Sequence, residues 1–432
     1  MTSVNIILWG RRIAAVSWSE ERKLAYFEYD PEFNNSQIQV APLMMPLSSQ
    51  IYSFPALAKK TFNGLPGMLS DSLPDKFGNA LIDQWLIRQG RSIESFNPVD
   101  RLAYIGNRGI GALEFSPSPG PNTTNSNPLN IEALVELANE VVKKRSKLKV
   151  SFKSKEKEKA MQDILQIGTS AGGARAKAII AWNRKTNEVC SGQANHKEGF
   201  SYWLLKFDGI SNNKDKGLED PQSYGLIEYA YYKMCRASGI NMNESTILSE
   251  NGRNHFITKR FDRNQHGHKL HMQSLAGLAH YDFNQAGAYS YEQVFNIIRK
   301  LDLGMESLEE QFRRMVFNIV ARNQDDHVKN ISFSMDKKGK WQLSPAYDMV
   351  YSYNPEGLWT NTHQLSLNAK RDDFTLDDFI ACEKRISLKK GRAKQILEEV
   401  METVSQWESF AKEAGLDKKL IKEIGKSHRL SF

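Results

Sequence analysis

Residues 323–348, NQDDHVKNISFSMDKKGKWQLSPAYD, decide how this chain is read. Asp325 stands five residues before Asn330, a short polar hairpin follows, and Asp348 closes the run. Phosphoryl-transfer enzymes need parts in that order. One carboxylate accepts or orients the nucleophile's proton, and an Asn and a second Asp hold Mg²⁺ against nucleotide phosphates. The hairpin makes the spacing workable. Ile331–Met335 predicts a strand, Asp336–Lys340 (DKKGK) a tight polar turn, and Trp341–Leu343 the return that carries Asp348 back beside Asn330. Taken alone, D-x₄-N is more often an inert polar loop, so the rest of the chain must supply a place for a nucleotide.

At 432 residues the chain is long enough for two or three units with cores of their own. It is 40% hydrophobic, 10% aromatic and 25% charged, an ordinary globular composition. No stretch approaches the ~18 to 20 apolar residues of a membrane span. The opening MTSVNIILWGRRIAAV reads as a strand and turn, not a signal peptide. Cys190, Cys235 and Cys382 lie far apart with no C-x-x-C pair, which fits a reducing, cytoplasmic setting and argues against a zinc or redox site. The net charge of +8 is concentrated in one place: Lys143–Lys159 holds nine Lys or Arg against two Glu, a local +7. That segment is either a solvated loop or a contact for DNA, RNA or an acidic partner.

Along the chain, alternation at Val4, Ile6, Leu8 and later at Leu24, Tyr26, Glu28 suggests a small antiparallel sheet. A helix follows Asp75, with Ala80, Leu81, Trp85, Leu86 and Ile87 as its apolar stripe. Residues 101–115 pass from a helix end through glycine-rich turns into a strand, and SPSPGPNTTNSNP (116–128) is the clearest linker. Beyond it come a helix at 129–144, strands at 178–182 and 202–207, and a helix at 226–238. A strand pair at 246–248 and 255–260 follows, then helices at 291–301, 308–321, 390–414 and 418–428. A strand-rich half before a helix-rich half predicts a two-lobe α+β arrangement.

Three further stretches carry chemistry. Gly168–Lys177 (GTSAGGARAK) could fold into an anion-binding nest of N–H groups, or be a plain glycine-rich turn. It is neither a Walker A loop nor G-x-G-x-x-G. Lys206, inside the apolar run YWLLKF (202–207), needs a carboxylate or phosphate partner unless it snorkels from an edge strand. Glu228, on the next long helix, is the candidate carboxylate. Thr258–Arg263 (TKRFDR) ends a strand near the lobe junction. Its backbone could read an adenine edge with Phe261 nearby, or it could be a salt-bridged strand terminus. Glycine-rich loop, strand lysine, helix glutamate, hinge, D-x₄-N and a final Asp follow the order of a bilobal protein kinase. The offset to Asn330 favours Asp325 over Asp326 as the base.

These residues resemble the HipA-type serine/threonine kinases of bacterial toxin–antitoxin systems, over nearly the whole chain. ARNQDDHVKNISF (321–333), LSPAYDM (343–349) and HQLSLNAKR (363–371) are the strongest matches. KRFDR (259–263), SAGGARAK (170–177), GLPGMLSDSLPDKFGN (64–79) and RLAYIGNRGIGALEF (101–115) match other parts of the family. The resemblance implies a kinase-like fold in three parts: a β-rich N-terminal subdomain over 1–125, a kinase N-lobe over 126–262 and a helical C-lobe over 263–432. It implies ATP and Mg²⁺ as cofactors, Asp325 as catalytic base with Lys329 neutralising the transferring phosphate, and Asn330 and Asp348 as metal ligands. Ala171, Gly172, Gly173, Ala174, Arg175 and Lys177 would cradle phosphates, with Lys206 held by Glu228. Lys259, Arg260 and Phe261 would line the adenine site. Ser170 falls on the serine that family members autophosphorylate to switch themselves off, where added charge would disturb a phosphate-binding loop. His327 reads as a structural hydrogen-bonding residue.

By the same resemblance the substrate would be a protein, such as a translation factor or an aminoacyl-tRNA synthetase, and a HipB-like DNA-binding antitoxin would be the partner. There are departures. Arg175 stands where many members have Gln, and Lys259 replaces an acidic residue of some members. No helix-turn-helix pattern precedes the N-terminal sheet, so DNA contact would come through a partner or the basic segment 143–159. Two other functions stay open on the sequence: a kinase-fold binding protein with weak catalysis, and a small-molecule kinase.

Overall fold

The computed structural model describes residues 3–121, 128–143, 155–168, 175–194, 198–210, 223–264 and 266–432. The N-terminal alternation becomes an antiparallel sheet. Strands β1 (Ser3–Leu8), β2 (Arg11–Ser19) and β3 (Leu24–Tyr29) run consecutively, and β4 (Leu113–Ser116) adds to the free side of β1. Val4, Ile6 and Leu8 are buried together, as a period of two requires. In β3 the buried face is Ala25, Phe27 and Tyr29, while Tyr26 and Glu28 point outward.

A second sheet is antiparallel throughout and has the order β6-β5-β7-β9-β8. Its strands are β5 (Lys177–Asn183), β6 (Glu188–Ser191), β7 (Ser201–Lys206), β8 (Ser245–Glu250) and β9 (Arg253–Lys259). The helices Ile131–Lys143 and Lys155–Ile167 cover it, setting Val135, Met161 and Ile164 against Ile180, Trp203 and Leu205. The helix Lys76–Arg88 drives Phe77 and Leu81 into the same core, so the N-terminal region and this sheet share one hydrophobic cluster. Its stripe is Phe77, Leu81, Ile82 and Leu86. Ile87, predicted inside, is 37% exposed because it lies past the edge of that face. Of the basic segment, Lys155–Lys159 open a helix rather than a loop, and residues 144–154 lie outside the described residues.

The remainder is mainly helical. Strands β10 (His271–Ser274), β12 (Ser332–Met335) and β13 (Trp341–Leu343) form a small sheet. Between them in sequence lies β11 (Tyr289–Ser290), which pairs in parallel with β14 (Leu365–Ser366). The predicted hairpin is present, with Phe333 opposite Leu343 and Met335 opposite Trp341. Asp336 Oδ1 closes its turn by accepting from Lys338 N at 2.9 Å and Lys340 N at 3.0 Å. The helices Tyr291–Lys300 and Gly304–Val320 form the core of this half. The helix predicted over 390–414 is two, Arg392–Ser405 and Trp407–Glu413, parted at Gln406. The helix Leu376–Ile386, opened by a Thr375–Asp378 capping box, was not anticipated.

The result is the α+β, kinase-like arrangement expected. The N-terminal sheet region docks on the helical half through Asp71, which accepts from Ser274 N at 2.6 Å and Ser274 Oγ at 2.8 Å. Gly67 lies so close that a Cβ there would collide with the Gly277 carbonyl. All three cysteines are buried and free. Among the described residues no helix is long and apolar enough to cross a membrane.

Candidate active site

A cleft of about 870 Å³ opens between the five-stranded sheet and the helical half, and Lys177, Lys206, Glu228, Asp325, Asn330 and Asp348 all line it. Lys206 ends β7, where the alternation of the strand turns its side chain toward the helix Tyr224–Ala237. Its Nζ lies 2.5 Å from Glu228 Oε1 and also bonds Asp348 Oδ1. Burial opposes the charge on Lys206, yet the Asp348 and Glu228 carboxylates outweigh it and raise the ammonium pKa. Glu228 itself is pushed up by burial, with Lys206 only partly restoring its charged form. Burial also acts against the Asp348 carboxylate, but Lys206 and then Lys177 hold it down at about 2. Asp348 has φ of 53°, a left-handed conformation that Asp tolerates better than most residues and that often marks functional positions.

The catalytic-loop candidates line the same cleft. Asp325 Oδ1 accepts from Trp359 Nε1 at 2.8 Å, and the Asp325 carbonyl accepts from Asn330 Nδ2 at 2.9 Å. That second bond fixes the loop and leaves the Asn330 oxygen as the end available to a cation. Tyr347 donates to the Lys329 carbonyl at 2.8 Å, which ties the loop to the segment carrying Asp348. The Lys329 ammonium lies 4.8 Å over the Phe283 ring. His327 caps the short turn Val328–Asn330, with Nδ1 accepting from Lys329 N at 3.2 Å. Its Nε2 is 3.7 Å from Asp325 Oδ1.

Asp326 takes no part in the cleft. It is 3% exposed and accepts from Tyr291 Oη at 2.6 Å and Gln364 N at 2.7 Å, with His363 Nδ1 at 2.9 Å. Burial would raise its pKa, but His363 and these donors lower it instead. The aspartate next to the proposed base is a structural tie.

The phosphate-loop expectation is only partly visible. Ser170, Ala171, Gly172, Gly173 and Ala174 lie outside the described residues. Arg175 sets its guanidinium 3.0 Å from the Tyr224 ring centroid. Lys177 is not in a loop but begins β5, directly opposite Lys206 on β7. Among the described residues it pairs with Asp75, whose Oδ2 is 3.8 Å from Nζ.

At the strand end, the side chains of Lys259 and Arg260 turn to other partners. Lys259 is 3.9 Å from Glu244. Arg260 is buried and grips Asp262 through Nε at 2.8 Å and Nη2 at 2.6 Å. Their amide groups are used too, Lys259 N by Glu244 O at 2.8 Å and Arg260 N by Tyr202 O at 2.9 Å. Phe261 is left as the cleft-lining group of the three with an apolar face on offer, its ring 5.8 Å from that of Tyr347. Trp359 and Asp75 are among the cleft residues that the sequence does not single out. Trp359 sits in an aperiodic loop and gave no signal, whereas Asp75 was visible only as a helix start.

The HipA-like C-terminal domain matches residues 169–408, more than half of the chain, and the HipA N-terminal domain matches residues 4–116. The chain belongs to the HipA-like family. A Haemophilus influenzae protein carrying a provisional kinase description is 26% identical over 218 residues. That match covers 43% of this chain and 63% of the relative, so the chain spans less than two thirds of the relative's length. The HipA of Shewanella oneidensis MR-1, solved with HipB and its operator DNA, superposes with a TM-score of 0.68 at 16% identity. The superposition covers 98% of this chain and 95% of that one, a likeness of fold. Within the HipA-like frame, Lys206, Glu228, Asp325 and Asp348 fall in the C-terminal domain, and Asp75 falls in the N-terminal one.

Proposed function

We propose that this HipA-like chain is an ATP- and Mg²⁺-dependent serine/threonine protein kinase acting in the cytoplasm as the toxin of a toxin–antitoxin pair. One observation carries the reading: Lys206, bridged to Glu228 and Asp348, lines the same cleft as Asp325 and Asn330. The donor set suits the metal. Mg²⁺ prefers a few hard oxygen ligands and takes the rest from phosphate and water. Asp348, ionised far below neutral pH, and the Asn330 amide oxygen are such ligands. Bound there, the ion would neutralise charge on the phosphates.

The chain's own residues account for the remaining steps. Asp325 accepts the proton of the substrate hydroxyl, whose oxygen bonds the γ-phosphorus as the bond to the β–γ bridging oxygen breaks and ADP leaves. Trp359 keeps the Asp325 carboxylate oriented by donating to Oδ1. Lys206 and Lys177 supply positive charge to the phosphates, and Lys329 does so from the catalytic loop. Arg175 and the segment 171–174 would complete the phosphate cradle, and Phe261 would pack on the base. Ser170 would be a site of self-inactivation, and a HipB-like antitoxin the partner. Growth arrest through a translation-related protein is the physiological role that fits the family.

Wild type and Asp325→Asn incubated with labelled ATP and Mg²⁺, followed by mass-spectrometric mapping, tests the reading. Label in wild type and its loss in the variant is the expected result, with Ser170 among the labelled positions. Equal label in both, or none in wild type freed of prior phosphate, would reject it.

A further inference from the structure

Asp75 comes from the N-terminal domain, yet it lines the cleft. It caps the helix Lys76–Arg88, with Oδ1 accepting from Gly78 N at 2.7 Å. A cap uses one oxygen and works at the surface. Here the second oxygen is buried as well, with no hydrogen-bond partner among the described residues, and it stands 3.8 Å from Lys177 Nζ. The two side chains are 3% and 4% exposed. Leaving a carboxylate oxygen dry and unbonded is unfavourable, so capping alone does not explain the arrangement.

Lys177 explains it. It pairs directly with Lys206 across β5 and β7, and like charges placed so repel. Glu228 and Asp348 are both bonded to Lys206. Among the described residues Asp75 is the acid in ion-pair range of Lys177, and its charge is also favoured by Lys329 of the catalytic loop. A buried lysine beside another ammonium sheds its proton unless an anion compensates, and a neutral amine has little hold on a phosphate. The 3.8 Å separation is too long for a hydrogen bond. Asp75 therefore acts on Lys177 through charge and not through a hydrogen bond between the two.

We propose that Asp75 is a positioning residue of the nucleotide site, keeping Lys177 charged and directed at the phosphates, so that the N-terminal domain takes part in ATP binding. This rests on the nucleotide-site reading above. It is tested by titrating Mg-ATP calorimetrically into the full-length wild type, Asp75→Asn, Lys177→Met and the double variant. Asn caps a helix as well as Asp does, so Asp75→Asn removes the charge and keeps the cap. Asp75→Ser repeats the measurement should Asn disturb the helix. Asp75→Asn is expected to raise Kd about tenfold, ~1.4 kcal/mol, and to have no further effect once Lys177 is Met. Unchanged or tighter binding in Asp75→Asn, or an undiminished loss in the Lys177→Met background, would overturn the proposal while leaving the nucleotide site standing. Wild type that takes up no Mg-ATP would overturn both.

Discussion

Glu228→Gln is the sharpest probe of the cleft. The change keeps the side chain's size and one accepting oxygen but deletes the charge 2.5 Å from Lys206 Nζ. At about 3 Å and an effective dielectric of about 20, two unit charges attract by roughly 5 kcal/mol, before the desolvation of both groups offsets much of it. Lys206 still has Asp348, and burial outweighs the Lys206 attraction at Glu228, so stability at neutral pH should hold or rise rather than fall by the ~3–5 kcal/mol typical of a stranded buried charge. Function should suffer more specifically. In the proposed mechanism Asp348 would have to exchange Lys206 for Mg²⁺, with Glu228 giving the ammonium a counter-charge while it does so. Without Glu228 the lysine stays with Asp348. If the exchange becomes about 2 kcal/mol harder, kcat/KM falls roughly 30-fold and half-saturation by Mg²⁺ moves upward. Steady-state transfer of labelled phosphate over a series of Mg²⁺ concentrations, beside thermal denaturation, reads both effects. A kcat/KM that stays within about twofold of wild type at every Mg²⁺ concentration, with or without a change in melting point, would refute the reasoning. Glu228 would then be a packing residue alone.

Three more outcomes follow from the geometry. Trp359→Phe removes the indole donor on Asp325 Oδ1; kcat should fall about tenfold with little change in nucleotide KM, in keeping with ~1.5 kcal/mol for a hydrogen bond to a charged group. Asp326→Asn breaks the buried contacts to Tyr291, His363 and Gln364, and should cost about 2–4 kcal/mol of stability by denaturant melts, with turnover per folded molecule intact. Asp75→Asn should behave in the opposite way. Burial against Lys177's attraction raises the Asp75 pKa to about 6, so its ionised form burdens the folded state above that pH. The unfolded chain releases this proton at a lower pH, hence the wild type loses stability as pH rises from about 4 to about 6. The variant should accordingly be more stable than wild type at pH 8, by up to ~3 kcal/mol, with the gain fading below about pH 4.

Much of this was legible because local chemistry and tertiary placement agreed. DKKGK between two short apolar runs could hardly be anything but a turn, and the Asp336 side chain closes it. Glu228 was legible since a lysine on an interior strand must find an anion, and the next helix presented one. Ile87 shows where periodicity stops: it belongs to the apolar stripe by spacing, but burial depends on how wide the covering surface is. The break at Gln406 has no Gly or Pro to announce it. Thr375 and Asp378 have the spacing of a capping box and are the local sign of the helix Leu376–Ile386. Arg260 and Asp262, two residues apart, formed the local ion pair that sequence had left as one of two options. Asp75 was out of reach. Its meaning depends on β5, a strand from another part of the chain, starting at a lysine.

The buried carboxylates sort themselves by the direction in which their surroundings push them. Burial disfavours the charge of each, so the sign reports whether partners win. At Asp262, Arg260 and Arg263 win, with a further bond from Gly111 N, and the pKa is driven down. At Asp326, His363 and its neighbours win in the same way. Both groups stabilise the fold in their ionised form, and both stand apart from the proposed chemistry. At Asp75 and Glu228 burial wins, and each keeps an oxygen with no hydrogen-bond partner among the described residues. A fold selected for stability alone would replace such groups. Their position on the wall of the cleft, each next to a lysine of the cross-strand pair, gives a reason to keep them. By the proposal above they keep two cations charged and in place in a dry site, which is the preorganisation a nucleotide site needs before the nucleotide arrives.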